Sequence, residues 1–166
     1  PPVDRLFERQ IRIDNTGTIT AGDDGIWAGV NGTRGVNVAT VFNAGSIMGG
    51  GELGDSGVTL EGPGAVLRNT GLIVGAVGVA MVANVAGGIS LTNSGTIEST
   101  SPSAARLAVS ELGADSVLND GAIHGAVQLG SGNDTYDGGD GVVLGRVLGG
   151  SGADSLVGGA ARDTLE

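Results

Sequence analysis

Apolar and polar residues alternate in short runs along this chain, and the runs return at a nearly fixed distance. Ile11-Arg12-Ile13-Asp14, Val66-Leu67-Arg68 and Ile89-Ser90-Leu91-Thr92 each alternate with period two, the mark of a strand with one buried face. Such runs lead into Asn-x-Gly with an aliphatic residue two positions on. The five copies are Asn15-Thr16-Gly17-Thr18-Ile19, Asn43-Ala44-Gly45-Ser46-Ile47, Asn69-Thr70-Gly71-Leu72-Ile73, Asn93-Ser94-Gly95-Thr96-Ile97 and Asn119-Asp120-Gly121-Ala122-Ile123. A third apolar patch follows in each unit: Ile26-Trp27-Ala28, Val58-Thr59-Leu60, Val79-Ala80-Met81, Leu107-Ala108-Val109 and Val127-Gln128-Leu129. Successive asparagines are 28, 26, 24 and 26 residues apart (15 to 43, 43 to 69, 69 to 93, 93 to 119). A repeat of this length with three glycine-broken strands predicts stacked coils. The fold class it predicts is all-β, a right-handed parallel β-helix of about six coils of roughly 20–28 residues. The strict six-residue period of the left-handed form is absent.

The asparagine has a mechanical task in such a stack. Equivalent side chains of parallel coils lie one above the other, about 4.8 Å apart, so the five amides are expected to form a ladder. An amide both donates and accepts, and can bond the coil on either side. Asparagine also tolerates a left-handed turn, and the glycine two residues on is expected to supply a positive φ there.

Composition narrows the partners. The chain has 166 residues, 34 of them glycine, 40% hydrophobic residues, 2% aromatics and no cysteine. That fits thin aliphatic layers without a disulfide framework. Eighteen acids against eight arginines give a formal charge of −10. Nucleic acid is thereby disfavoured as a partner and cations are favoured.

Two segments stand apart from the repeat. Leu72 to Leu91 is apolar enough to suggest a membrane span, but it holds Gly75, Gly78, Gly87, Gly88 and Asn84 and keeps the repeat in phase. It reads as a coil buried between neighbours. At the amino end, Val3, Leu6 and Phe7 lie at helical spacing with Asp4 as a cap, which predicts a short helical plug over the first coil. The chain thus divides into a cap over 1–10, asparagine-ladder coils over 11–125 and glycine-aspartate turns over 126–166. The last repeat breaks off within its pattern, so the chain reads as a piece of a longer protein.

The chemistry-bearing motif lies in that last part. Gly130-Ser131-Gly132-Asn133-Asp134-Thr135-Tyr136 recurs as Gly150-Ser151-Gly152-Ala153-Asp154-Ser155-Leu156, an offset of 20 (130 to 150). Asp134 and Asp154 should then face each other across one coil spacing. Calcium takes six or more oxygens at about 2.3–2.6 Å, and two stacked Gly-x-Gly-x-Asp turns offer carboxylates and unhindered carbonyls. The competing reading makes these plain glycine turns whose aspartates cap backbone amides.

The stretch Gly149 to Val157 resembles the nonapeptides of the calcium-binding repeats-in-toxin (RTX) family at every position. Gly158 to Leu165 follows with Ala161 in place of a glycine, the earlier copy has Leu129 in place of its first glycine, and Gly138 to Val143 lacks the aspartate. About a quarter of the chain is covered, and the 20-residue offset departs from the family's tandem 18. The resemblance implies calcium held by Asp134 and Asp154 with the carbonyls of Gly130, Gly132, Gly150 and Gly152, and with Asp137 and Asp163 as further candidates. The Asn-x-Gly coils in turn resemble the passenger regions of secreted and surface-displayed bacterial proteins such as autotransporter-like adhesins. That implies a non-enzymatic stalk, secreted or on the cell surface, with a surface glycan or protein as partner, or another copy joined end to end.

Signals for catalysis are sparse. His124 is the single histidine. Asp23, Asp24 and Asp55 share a loop of neighbouring coils, and polysaccharide-cutting β-helix enzymes use such acids together with a basic residue. Here only Arg34, Arg68 and Arg106 are placed for that role, and Trp27 is the one aromatic beside the acids.

Overall fold

The computed structural model describes residues 9–29, 37–82, 87–101, 106–108, 113–159 and 162–166. Every element among them is a strand, and all pairings are parallel. The expected plug of Val3, Asp4, Leu6 and Phe7 lies outside the described residues, as do Arg34 and Asn84.

Three sheets run the length of the molecule. The first stacks β1 (Arg9–Asn15), β4 (Asn37–Asn43), β7 (Val66–Asn69), β10 (Ser90–Asn93), β13 (Ser116–Asn119), β16 (Thr135–Asp137) and β19 (Ser155–Val157). The second stacks β2 (Thr18–Thr20), β5 (Ser46–Met48), β8 (Leu72–Gly75), β11 (Thr96–Ser99), β14 (Ala122–His124) and β17 (Val142–Val143). The third stacks β3 (Ile26–Ala28), β6 (Ser56–Glu61), β9 (Val77–Val82), β12 (Arg106–Ala108), β15 (Ala126–Ser131), β18 (Arg146–Ser151) and β20 (Thr164–Leu165). Consecutive strands thus lie in successive sheets and each strand pairs with the one a whole coil away. That is the parallel β-solenoid the three-patch repeat predicts. The apolar stretch from Leu72 contributes β8 and β9, and no helix among the described residues is long and apolar enough to cross a membrane.

Exact register makes the core columnar. Ile19, Ile47, Ile73, Ile97 and Ile123 stand in one column that continues to Val143. Ile13, Val41, Leu67, Leu91, Val117, Tyr136 and Leu156 form a second. The alternation in each strand sends these residues inward and their neighbours outward, so the described core residues from coil two to coil six have almost no water-accessible area. On the outer face of the first sheet, Phe42 lies between two arginines, 4.3 Å below Arg12 and 5.8 Å from Arg68.

The amide ladder forms as the repeat demands. Asn15, Asn43, Asn69 and Asn93 each donate Nδ2 to the Oδ1 of the asparagine in the next coil at 2.8 Å, ending on Asn119. The same nitrogens reach backbone carbonyls at 3.1–3.3 Å, such as Ser46 from Asn15 and Leu72 from Asn43. Each Oδ1 of the first three also accepts from the amide of the glycine two residues on. All five asparagines are buried, which is affordable only because their hydrogen-bonding groups are so fully engaged.

The glycines of the motif have a different cause from the expected one. None of Gly17, Gly45, Gly71, Gly95 or Gly121 has positive φ, and no described non-glycine residue does either. Instead, a Cβ on Gly45, Gly71, Gly95 or Gly121 would overlap the carbonyl oxygen of the motif glycine one coil earlier. Close stacking, not turn handedness, excludes a side chain here.

Coil length falls sharply toward the carboxyl end. Ser90 pairs with Ser116, but Ser116 pairs with Thr135, only 19 residues on (116 to 135), and Thr135 pairs with Ser155, 20 on (135 to 155). Arg146 pairs with Thr164, 18 on (146 to 164). The amide ladder stops where coils shorten. Tyr136, fully buried, closes it by hydrogen bonding with Asn119, and burial pushes its hydroxyl pKa up to about 12.

Removing a central amide orphans partners on both sides, whereas the end of the ladder has one neighbour. Asn69→Ala should therefore cost about 3–4 kcal/mol and Asn15→Ala about 1–2 kcal/mol, read from urea unfolding midpoints at unchanged m-value. Equal losses would show that the ladder does not act as a chain.

Candidate functional site

A second ladder begins where the first ends, and it is made of carboxylates. The register of Thr40, Val66, Ser90, Ser116, Thr135 and Ser155 along the first sheet places the residues before them in one column. That column reads Ala39, Ala65, Ile89, Asp115, Asp134 and Asp154. It faces inward: Ala39, Ala65 and Ile89 are core residues, and Asp115 and Asp134 are only 2% and 1% exposed. Three aspartates have replaced aliphatic side chains.

Each carboxylate reaches back to the coil before it. Asp115 Oδ1 accepts from the Ile89 amide at 2.9 Å, Asp134 Oδ1 from the Asp115 amide at 2.8 Å, and Asp154 Oδ1 from the Asp134 amide at 3.0 Å. The expected facing of Asp134 and Asp154 is therefore present, and Asp115 extends it by one coil. One oxygen of each upper carboxylate stays unsatisfied: Asp115 Oδ2 and Asp134 Oδ2 are buried without a hydrogen-bond partner. The electrostatic result is strain on the charged form. Burial raises the Asp115 pKa to about 6, with the Asp134 charge adding to it and the Ile89 amide opposing it. Burial likewise raises Asp134, opposed by the Asp115 amide and reinforced by the Asp154 charge.

The turn that leads into this column supplies the glycines of the motif. Gly113, Gly130, Gly150 and Gly152 have positive φ, so here glycine is needed for conformation. Gly130 pairs with Gly150 and Ser131 with Ser151, whose hydroxyls bond at 3.0 Å. The carbonyls of Gly113 and Gly132 stand directly over Gly132 and Gly152, where a Cβ would overlap them. Gly149 stands where Leu129 is one coil earlier, and a Cβ there would meet Asp154 Oδ2 at 2.5 Å. The first glycine of the nonapeptide thus makes room for its own aspartate.

The remaining candidates lie elsewhere. Asp137 points outward from β16 and accepts from the Gly139 amide at 3.0 Å. Asp163 precedes β20, on another side of the coil, and its Oδ2 accepts from the Gly159 amide at 2.8 Å. Its Oδ1 is also buried without a partner. Asp24 caps the Ser56 amide at 2.7 Å, and Asp55 the Glu52 amide at 2.9 Å. Trp27 is 53% exposed on the outer face of the third sheet. His124 stands opposite Glu98 in the second sheet.

Asp115 is absent from the reading of the sequence, yet its signal is there. Gly113-Ala114-Asp115-Ser116-Val117 repeats Gly152-Ala153-Asp154-Ser155-Leu156 almost residue for residue.

Compared with protein families, with curated proteins and with solved structures, the chain finds no match in any of the three.

The donor set suits a hard cation in kind: buried carboxylate oxygens without partners, beside stacked glycine carbonyls. No three acidic or histidine side chains among the described residues come together as a metal-holding group. Backbone carbonyls and water would have to complete any shell.

In metal-free buffer the sign of the pH response follows from Asp115. Its folded pKa lies above the ordinary value of 3.8, so the protonated form favours folding. The contribution is fully present below the unfolded pKa and is lost as pH rises through about 6. Between about pH 7.5 and pH 5 the folding equilibrium should shift about tenfold toward the folded state. Urea titrations with chelator present check this, and Asp115→Asn should flatten the profile.

Proposed function

We propose that this chain is a structural segment of a secreted or cell-surface bacterial protein, a stalk or display scaffold whose carboxyl-terminal turns are stabilised by calcium. The observation that carries the reading is where the motif residues go. Asn15, Asn43, Asn69, Asn93 and Asn119 bond one another, and Asp115, Asp134 and Asp154 bond the backbone of the preceding coil. The residues most characteristic of the sequence serve to join one coil to the next, which is work for a rod and not for turnover.

Calcium enters this reading as counter-charge. Asp134 and Asp154 would hold it through their remaining oxygens, with the carbonyls of Gly130, Gly132, Gly150 and Gly152 beside them. Its chemistry there is to neutralise stacked carboxylates that burial otherwise disfavours. A chain so built would be weakest where calcium is scarce and would gain stability outside the cell.

A second reading rests on Trp27. Its exposed ring adjoins Gly29 and Glu61, a Cβ on Gly29 lying 2.7 Å from both side chains. An aromatic platform beside an acid suits a sugar ring, which would make the segment a polysaccharide-binding or adhesion module. A glycan array with Trp27→Ala as control separates it from a bare stalk, and product analysis on uronate polymers separates it from an enzyme.

The calcium reading is checked by melting curves. At free calcium near one hundred times Kd the stabilisation is about 2.7 kcal/mol, a rise in Tm of roughly 5–10 °C. Curves that superimpose with calcium and with chelator would remove calcium from the function.

A further inference from the structure

The carboxylate column has more steps than the resemblance to toxin repeats supplies. The nonapeptide pattern covers Asp154 in full and Asp134 in part, and its calcium site lies between them. Asp115 lies outside that pattern, yet it makes the same bond to the coil before it as Asp134 and Asp154 do, at nearly the same distance. It is also as deeply buried as Asp134.

We propose that Asp115 and Asp134 form a second cation site one coil above the repeat-like one, and that cation dependence of this solenoid begins at Asp115. The proposal rests on the calcium reading given above and adds to it a residue, a position and a boundary.

Three observations carry it. Asp115 Oδ2 and Asp134 Oδ2 are both buried and without partners, on side chains in adjacent coils of one column. Unpaired buried carboxylate oxygens are costly unless something positive meets them. The described ion pairs lie elsewhere, Arg12 with Asp14 and Arg146 with Glu166, both exposed. The turn above this step repeats the glycine geometry of the one below. Gly113 has positive φ like Gly152, and its carbonyl stands over Gly132 as that of Gly132 stands over Gly152. Gly113 and Gly132 are thus stacked at the upper step as Gly132 and Gly152 are at the lower. Above Asp115 the column turns aliphatic with Ile89 and Ala65, so no third step can follow. Upstream of that point the continuous side-chain ladder between coils is the neutral amide one.

The ligand class is a hard divalent cation of calcium's size, because only oxygen donors are present and they come from flexible carboxylates and backbone.

The test is calorimetric calcium titration of the whole chain, wild type against Asp115→Asn and Asp154→Asn. Asparagine keeps the Oδ1 acceptor for the Ile89 amide, and far-UV circular dichroism confirms that each variant stays folded. Asp115→Asn should lose one bound ion and keep the other, and Asp154→Asn should also lose one. Hydrogen exchange read by mass spectrometry gives the boundary. On adding chelator, protection should fall across 113–166 and hold across 37–82, and in Asp115→Asn it should fall only from 132 onward. Undiminished calcium binding by Asp115→Asn, with binding lost in Asp154→Asn, overturns the second site and leaves the first. No calcium uptake by the wild type overturns both together. A variant that unfolds is replaced by Asp115→Ser, small enough for the column, with the same readouts.

Discussion

Everything in this molecule depends on equivalent residues standing vertically above one another at one strand spacing. Parallel pairing without register slips turns each position of the repeat into a column, and each column must be compatible with itself. An aliphatic column satisfies that condition by contact alone, as Ile19, Ile47, Ile73, Ile97 and Ile123 do. A glycine column satisfies it by absence, since any side chain on Gly71 would strike the carbonyl of Gly45. A polar column must satisfy its own hydrogen bonds, and the two polar columns here solve this differently.

The amide is the self-sufficient solution. It carries a donor and an acceptor on one planar group, so a ladder of asparagines closes every internal bond and bears no charge. It can be extended by any number of coils. A carboxylate has acceptors only, so the Asp115–Asp134–Asp154 column draws its donors from the backbone and has oxygens left over. It also buries its carboxyl groups away from water and, to a lesser degree, stacks like charges, hence the raised pKa of Asp115 and Asp134. Such a column is intrinsically conditional. Neutralising its charge relieves the burial cost, so its stability should respond to the solution in a way that the amide ladder's does not.

Much of this was legible in the sequence, and the misses have physical reasons. Spacing revealed the three strands, the ladder of Asn15 to Asn119 and the meeting of Asp134 with Asp154, because register turns sequence offset into adjacency. The role of Gly45, Gly71, Gly95 and Gly121 was misread, since the same residue serves positive φ and close approach, and only the stacked carbonyl tells which. Asp115 escaped for another reason. The Leu-rich stretch before it does not open on the paired glycines that draw the eye at Gly149-Gly150, although its own Gly-Ala-Asp-Ser matches residues 152–155. Asp137 and Asp163, the lesser candidates, fall elsewhere: Asp137 is exposed at the end of β16, three residues past Asp134, and Asp163 precedes a strand of the third sheet because a nine-residue step (154 to 163) covers only half of an 18-residue turn.

The shortening of the coils explains why one ladder gives way to the other. Between β13 and β16 the path loses about a quarter of its length relative to the 26 residues before it (93 to 119). The position below Asn119 becomes Gly138, and Gly141 now approaches so closely that a Cβ would lie 2.5 Å from the Asn119 amide nitrogen. A Cβ on Gly138 would also overlap Gly159, so no asparagine fits that corner, and Tyr136 hydrogen bonds with Asn119 where the ladder ends. A smaller coil encloses less aliphatic volume and so gains less from hydrophobic burial. Its cohesion must come from the opposite corner, where tight glycine turns bring the backbone amides within reach of a carboxylate. Short coils and an acidic column are therefore one structural decision, and the buried, unpartnered carboxylate oxygens follow from the geometry of the turn.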